Sequence, residues 1–465
     1  MQEFKRRLRE LLRISAPIIL EQVFITVMGL INQMMAANAI GEHAVSAMGI
    51  IDGVSNIMIA VFAALTTGGT IIVAQMFGRK DYSGAKKAGA QALTLSMILS
   101  AVVLVVFLSF RGPMIKVLLG ESAADVMQAG FEFFSVVILS YPMLAIMQTG
   151  FGIVRGSGDT ATPMLVTLIM NVINVAVGYL LIFSWEINLF GLSIVSPSYG
   201  VYGAAIALTI ARFTGMVLIL LFLFLKSKNI RLERVQDFKP DLSVQFNILK
   251  LGIPTSIESS MFQVGRLITQ LFIVGMGTSA LFSNNVSSTI FGFVNVPGTA
   301  FSTGVMILVG QKVGRGEYDD IKKTTLFAIC TGSVMFAMLS AILYPLTGVI
   351  ASLYNASPES AVLINRILRT GLIVLPFFWA TSFVTPAALR ATGDVVFTMS
   401  FSILSMWLLR IVVGYVLGVR LNLGAIGVWY GMFSDWILRS LLFVTRLLRG
   451  KWMKKLPAVK NAETV

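Results

Sequence analysis

Twelve apolar stretches, each long enough to cross a bilayer, constrain this chain more than any other feature. A membrane helix needs roughly 20 apolar residues, and such stretches run near 14–39, 45–76, 88–110, 124–154, 162–184, 201–225, 247–276, 281–311, 324–351, 361–389, 396–417 and 425–447. No soluble domain fits between them. Only 12% of the residues are charged, about half the share in soluble domains. The expected fold class is an all-α polytopic membrane protein of twelve transmembrane helices. The first stretch lacks a small-residue cleavage site and outruns the apolar core of a signal peptide, so it reads as a retained helix.

A net charge of +14 serves orientation here rather than nucleic-acid binding. About 27 of the 36 basic residues lie at the N-terminus, in the connections after the even-numbered stretches, and in the C-terminal tail. The opposite loops hold only Arg111, Lys116 and Arg420. Both termini are therefore expected in the cytoplasm, with the chain in a bacterial cytoplasmic (inner) membrane. Residues 1–13, with Phe4, Leu8, Leu11 and Leu12 among five basic residues, read as a helix lying on the inner leaflet or as a plain charged anchor. Cys330 stands alone and excludes an internal disulfide; His43, alone at an outer loop, makes no metal cluster.

The chain also repeats itself at an offset of about 236 residues. Gln75, Gly78, Arg79, Tyr82, Lys86 and Lys87 match Gln311, Gly314, Arg315, Tyr318, Lys322 and Lys323. Pro17 and Glu21 match Pro254 and Glu258; Arg155, Gly158 and Asp159 match Arg390, Gly393 and Asp394; Gly178 and Tyr179 match Gly414 and Tyr415. Only the loop before the sixth stretch breaks step, being longer than its counterpart. Six spans per copy return the chain to one side, so the copies are expected as two six-helix bundles about a pseudo-twofold axis along the membrane normal, with the substrate cleft between them. The domains expected are an N-terminal lobe at 1–225, a cytoplasmic linker at 226–246, a C-terminal lobe at 247–450 and a cytoplasmic tail at 451–465. The linker is long enough to let the lobes rock.

The repeated motifs read first as architecture. In VRGSGDTATPM at 154–164, Gly156 and Gly158 permit left-handed backbone, Asp159 or Thr160 can cap the next helix, and Pro163 suits its first turn. LRATGDVVF at 389–397 repeats the pattern without the proline. The stretches after Gln75 and Gln311 are expected to end their helices at Gly78 and Gly314. No P-loop spacing is present.

An ionisable group at the bilayer centre costs about 2.5–3.5 kcal/mol even on translocon scales, so each one needs a reason. Glu21 and Glu258, four residues after Pro17 and Pro254, read either as cation or proton sites or as buried acceptors steadying a bent helix. Asp435 has Arg439 one turn on, which favours a local ion pair. Asp52 and Glu132 lie toward outer helix ends. Arg266, Arg366, Arg369 and Arg410 crowd the second half, where they neutralise carboxylates or bind an anionic substrate; the first half has Arg212.

At this point the chain resembles the multidrug and toxic compound extrusion (MATE) transporters over about residues 10–450. The resemblance rests on the duplicated twelve-helix plan, Gln75-x-x-Gly78-Arg79 and its copy, RGSGDTATP after the fourth span, YGVYGAAIA at 199–207, and Trp407 with Arg410. It implies antiport: the substrate leaves as Na⁺ or H⁺ enters, and no cofactor is needed beyond that ion. Similar proteins carry an aspartate where Asn32 stands, and one branch has another where Gly178 stands, with its neighbouring asparagine present as Asn174. No carboxylate appears among residues 377–388, which leaves Glu258 for the family's seventh-helix carboxylate.

The function expected is a cation-coupled antiporter that exports small organic, cationic compounds by alternating access. Glu258, Glu21, Asn32 and Asn174 are the coupling residues; Asp52, Arg266, Gln270 and Arg410 line the substrate cleft. The partners expected are a small-molecule substrate and the lipid bilayer, with no nucleic acid and a monomeric chain. The alternative is a flippase for lipid-linked or anionic amphipathic substrates. A membrane-embedded enzyme needs paired catalytic groups that one histidine and one cysteine do not supply.

Overall fold

The structure, a computed structural model, describes residues 1–119, 124–189, 192–196, 198–227 and 230–456. The side chain of His43 and residues 457–465 of the tail lie outside the described part. Lipid offers no hydrogen bonds to a backbone, so the apolar stretches close their own as helices. In order these are α1 (Gln2–Ala39), α2 (Glu42–Gly78), α3 (Tyr82–Leu119), α4 (Ala124–Val137), α5 (Tyr141–Gly156), α6 (Ala161–Ile182), α7 (Gly200–Leu221), α8 (Leu242–Val274), α9 (Thr278–Arg315), α10 (Tyr318–Leu353), α11 (Pro358–Ala391), α12 (Val395–Ser405) and α13 (Ala425–Leu448). Helices α4 and α5 form one span, interrupted at Ile138–Ser140 by a 3₁₀ turn just before Pro142, where proline removes a backbone donor. The all-α class expected from the sequence is what the structure has. Among the described residues, ten spans are long and apolar enough to cross a membrane on those grounds alone. The two that fall short are α8 and α13, which carry Lys250, Glu258, Arg266, Asp435, Arg439 and Arg446.

The duplication reappears in the backbone. Gly41 and Gly277 have φ of 102° and 100°, and Gly158 and Gly393 have 92° and 93°, a region that a side chain adopts only under strain. Where the sixth-span loop breaks the repeat, the extra residues form a hairpin, β1 (Trp185–Leu189) antiparallel to β2 (Leu192–Ser196).

The described chain divides into two compact units. One, the N unit, comprises Leu20–Val73 and Asp81–Gly252; the other, the C unit, comprises Met1–Ile19, Ala74–Lys80 and Ile253–Val465.

In the C unit, residues 2–13 are simply the first turns of α1 and are docked on protein. Leu11, Ile14 and Ile18 are buried with Phe301, Val305 and Ala328, Phe4 meets Phe327 edge-on, and Arg7 pairs with Asp320 at 2.5 Å. Gly78 and Gly314 meet opposite backbone: a methyl on Gly78 would strike the carbonyl of Gln311, and one on Gly314 the carbonyl of Gln75. Gly314 thus lies inside α9 as a crossing point, and the helix is closed instead by left-handed Gly316. Beyond α13 the chain stays attached, with Trp452 buried and its indole N–H donating to the Leu447 carbonyl.

In the N unit the connection expected to be a loose linker is strapped to α3. Gln91 is fully buried; its amide donates to the carbonyls of Asp237 and Lys239 at 2.6 and 2.7 Å and accepts from the N–H of Asp241 and the side chain of Gln245. Asp241 caps α8 through the N–H groups of Ser243 and Val244 and pairs with Lys87 at 2.6 Å. The Lys87 ammonium, with those N–H groups, holds the Asp241 carboxyl below the usual aspartate range.

Gly78→Ala and Gly314→Ala are each expected to lower the thermal midpoint of the purified protein, because the new methyl meets a carbonyl that belongs to another helix. Gly348→Ala, with open space around it, should be neutral or gain about 0.5–1 kcal/mol. Equal midpoints for all three variants would rule out the close crossing.

Candidate functional site

The N unit encloses a cavity of about 210 Å³. Asn32 and Gln33 reach it from α1, Asp52 from α2, Asn174 and Gly178 from α6, and Arg212 from α7. Three sequence-expected residues, Asn32, Asn174 and Asp52, are therefore neighbours around one space. Asp52 is exposed to it and has no ion-pair partner among the described residues. Arg212 lies within electrostatic reach of Asp52, but its guanidinium donates to the Ser140 hydroxyl at 2.6 Å, at the break between α4 and α5. Gly178 leaves room that a side chain would narrow toward Met35.

Glu21 does not line that cavity. It is buried, accepts from Arg155 at 2.5 Å and from the Thr167 hydroxyl at 3.3 Å, and has its second oxygen, Oε2, unpartnered among the described residues. The C unit repeats the arrangement: Glu258 is buried against Arg390 at 2.9 Å, and its Oε2 is likewise unpartnered. Since Glu258 repeats Glu21 and Arg390 repeats Arg155, one ion pair has been built twice. The arginines come from the motifs read as turns. Those motifs do turn the chain, and they also deliver the counter-charge.

A family model described as MatE matches the chain twice, over residues 17–180 and over 254–416. The chain belongs to the MATE family of transporters. The two matches start 237 residues apart and end 236 apart, which is the offset of the duplication, and each contains one of the buried glutamates with its arginine. This MATE protein is 27% identical over 472 positions to the "Probable multidrug resistance protein NorM" of Thermotoga maritima, covering 98% of this chain and 95% of that one. It is 25% identical over 449 positions to the "Uncharacterized transporter YisQ" of Bacillus subtilis, with 96% and 95% covered. A solved structure described as "Crystal structure of MATE in the bent conformation" superposes with a TM-score of 0.85 at 19% identity, covering 99% and 97% of the two chains. One described as an outward-facing MATE transporter gives 0.84 at 21%, covering 95% and 96%. At these identities the structural likeness is one of fold.

The two copies in this MATE chain have diverged around their shared pair. Asp159 caps α6, accepting from the N–H groups of Ala161 and Thr162; Asp394, its repeat, instead takes Arg446 in a two-pronged pair at 2.8 and 3.2 Å. The local pair expected between Asp435 and Arg439 is an electrostatic one, with no direct contact between the two groups among the described residues. Asp435 accepts from the Ser405 hydroxyl at 2.5 Å, while Arg439 leans to Glu258 at 3.8 Å and stacks over Phe262 and Phe383. Phenyl faces offer the guanidinium a second home, while Asp435 stays within electrostatic reach of it without a hydrogen bond.

Arg266 is exposed on α8, and Arg410 sits in a π-helical turn, Met406–Val413, that continues α12. Arg410 lies within electrostatic reach of Arg266, Arg439 and Asp435. Gln270 accepts from Asn284 at 3.0 Å, and the Trp429 indole donates to the same asparagine. The C unit thus gathers Glu258 and Asp435 with Arg266, Arg390, Arg410 and Arg439, an excess of positive charge. In the N unit Glu21 and Asp52 are matched by Arg155 and Arg212.

Arg155→Met should strand a buried glutamate and cost about 3–5 kcal/mol, read as a fall in thermal midpoint in detergent. The double variant Glu21→Gln with Arg155→Met should recover much of that loss. A double variant as unstable as the single would show that the pair does not carry the stability.

Proposed function

We propose that this MATE protein exports small organic cations in exchange for Na⁺ or H⁺, with both termini in the cytoplasm of a bacterial cell. The observation that carries the reading is Asp52, a carboxylate without an ion-pair partner among the described residues, open to a cavity that also presents Asn32, Gln33 and Asn174. Amide and carboxylate oxygens are hard donors of the kind a small cation takes, and an ionisable residue within a membrane span is a functional-site hypothesis by default. Membrane potential adds about 2.3 kcal/mol per entering charge per 100 mV. The names of relatives such as NorM of Thermotoga maritima, a "multidrug resistance protein", support export of varied compounds.

Glu258 and Glu21 are the second choice for coupling. Each already holds a guanidinium on Oε1, and the spare Oε2 is where a cation would bind. Na⁺ or H⁺ is the only bound group the reading requires, and a single chain is the unit it assumes.

The arginine excess of the C unit favours a second reading, transport of a lipid-linked or otherwise anionic amphipath. Arg266 and Arg410 are then the residues that meet the substrate.

Reconstituted vesicles given Na⁺ and H⁺ gradients separately should move a fluorescent organic cation under one of them. Asp52→Asn should abolish gradient-driven efflux while the protein stays folded, and Glu258→Gln should lower thermal stability first. Uncoupling by Glu258→Gln with Asp52→Asn fully active would transfer the coupling site to Glu258. Efflux of an anionic dye that is lost in Arg266→Gln and Arg410→Gln would select the second reading.

A further inference from the structure

We propose that the N unit carries a phospholipid-headgroup pocket, which grips the phosphate of a lipid in the leaflet that the N-terminal end of α3 faces. This pocket is remote in role from the Asp52 cavity. It is a space of about 150 Å³ walled on one side by the first turns of α3 and on the other by the connection after α7.

Its walls are fixed. Gln91 holds the carbonyls of Asp237 and Lys239, Lys87 holds Asp241, and Phe238 stacks on Phe224 with centroids 6.0 Å apart. Arg231 is itself anchored, with Nε donating to the Phe224 carbonyl at 3.0 Å.

Charge selects the ligand. Lys86, Arg231 and Arg234 face the space together with Glu233 and Asp237. Arg231 and Glu233 neutralise one another at 3.2 Å. That leaves Lys86 and Arg234, neither of them in an ion pair among the described residues, against the single carboxylate of Asp237. Ser83 adds a hydroxyl, and the start of α3 turns the positive end of its dipole to the same side. Two free cations with a hydroxyl suit a phosphate diester, and Asp237 gives the amine of an ethanolamine headgroup an acceptor.

Depth selects the source. The apolar run of α3 begins near residue 88, two residues past Lys86, a rise of about 3 Å. Phe224, to which Arg231 is tied, lies at the end of the apolar run before the connection. Both walls therefore stand where hydrocarbon gives way to headgroups, and Tyr82 at the rim is a residue type enriched at that level. On the orientation proposed above the leaflet is the inner one, but binding does not depend on that assignment.

The test titrates the full-length protein in detergent with phosphatidylethanolamine, phosphatidylglycerol or inorganic phosphate, reading the thermal midpoint, and counts retained lipid by native mass spectrometry. Wild type should be stabilised by either lipid and keep one that survives delipidation. Lys86→Gln and Arg234→Gln should each weaken apparent lipid affinity about fivefold, with the lipid-free midpoint unchanged; Lys86→Arg should restore it. Stabilisation by inorganic phosphate equal to that by lipid would overturn the lipid assignment in favour of a free-phosphate site. Equal lipid retention in wild type and both glutamine variants would overturn the pocket altogether.

Discussion

Hydrocarbon does not solvate charge, and this MATE chain carries glutamates into it at positions 21 and 258. Each is met by an arginine that arrives from a distant turn, Arg155 or Arg390, and the meeting ties the proline-containing start of one span to the end of another. A buried pair of this kind is weak as a source of net stability but expensive to break on one side. That asymmetry makes the pair a register device. With Arg155 in place, α1 and α5 have one mutual setting in which no charge is stranded; Arg390 does the same for α8 and α11. The duplication means that one solution to the problem of charge in lipid has been used in both copies.

Around that shared pair the copies have been put to different uses. In the N unit an aspartate left over from the turn motif caps a helix, and the charges that remain are balanced and grouped about a cavity. In the C unit the equivalent aspartate is taken by Arg446, Arg439 is shared between Glu258 and aromatic rings, and positive charge exceeds negative. A π-helical turn sits where Arg410 enters. Such turns widen a helix and re-aim its side chains, and they recur at functional positions. Divergence on a common frame is how a duplicated transporter comes to present unlike chemistry from its two copies.

The close crossings and the strap hold distant parts of the chain together. Gly78 and Gly314 bring backbone against backbone with no side chain between. Gln91, with all its amide capacity used by the connection, converts a charged linker into a fixed wall.

The number of spans, the duplication and the membrane class were legible from sequence because each depends on local composition or on self-similarity: about 20 apolar residues make a span whatever their partners are, and two copies of a motif match wherever they lie. The lone carboxylates Glu21, Asp52 and Glu258 were legible too, since any charge in an apolar run stands out. Their roles were not. Whether Glu258 is a free cation ligand or the partner of Arg390 depends on which helix packs beside it, across 132 residues of chain, and no local pattern records that. The arginine of the GSGD and ATGD motifs looks like part of a turn for the same reason, and nothing local in the 226–246 connection shows its anchor, because Gln91 is a single polar residue in another apolar span. Sequence by itself determined the solvent, the elements and their repetition; tertiary structure alone decided the pairing of charges, because electrostatic partners are chosen by distance in space.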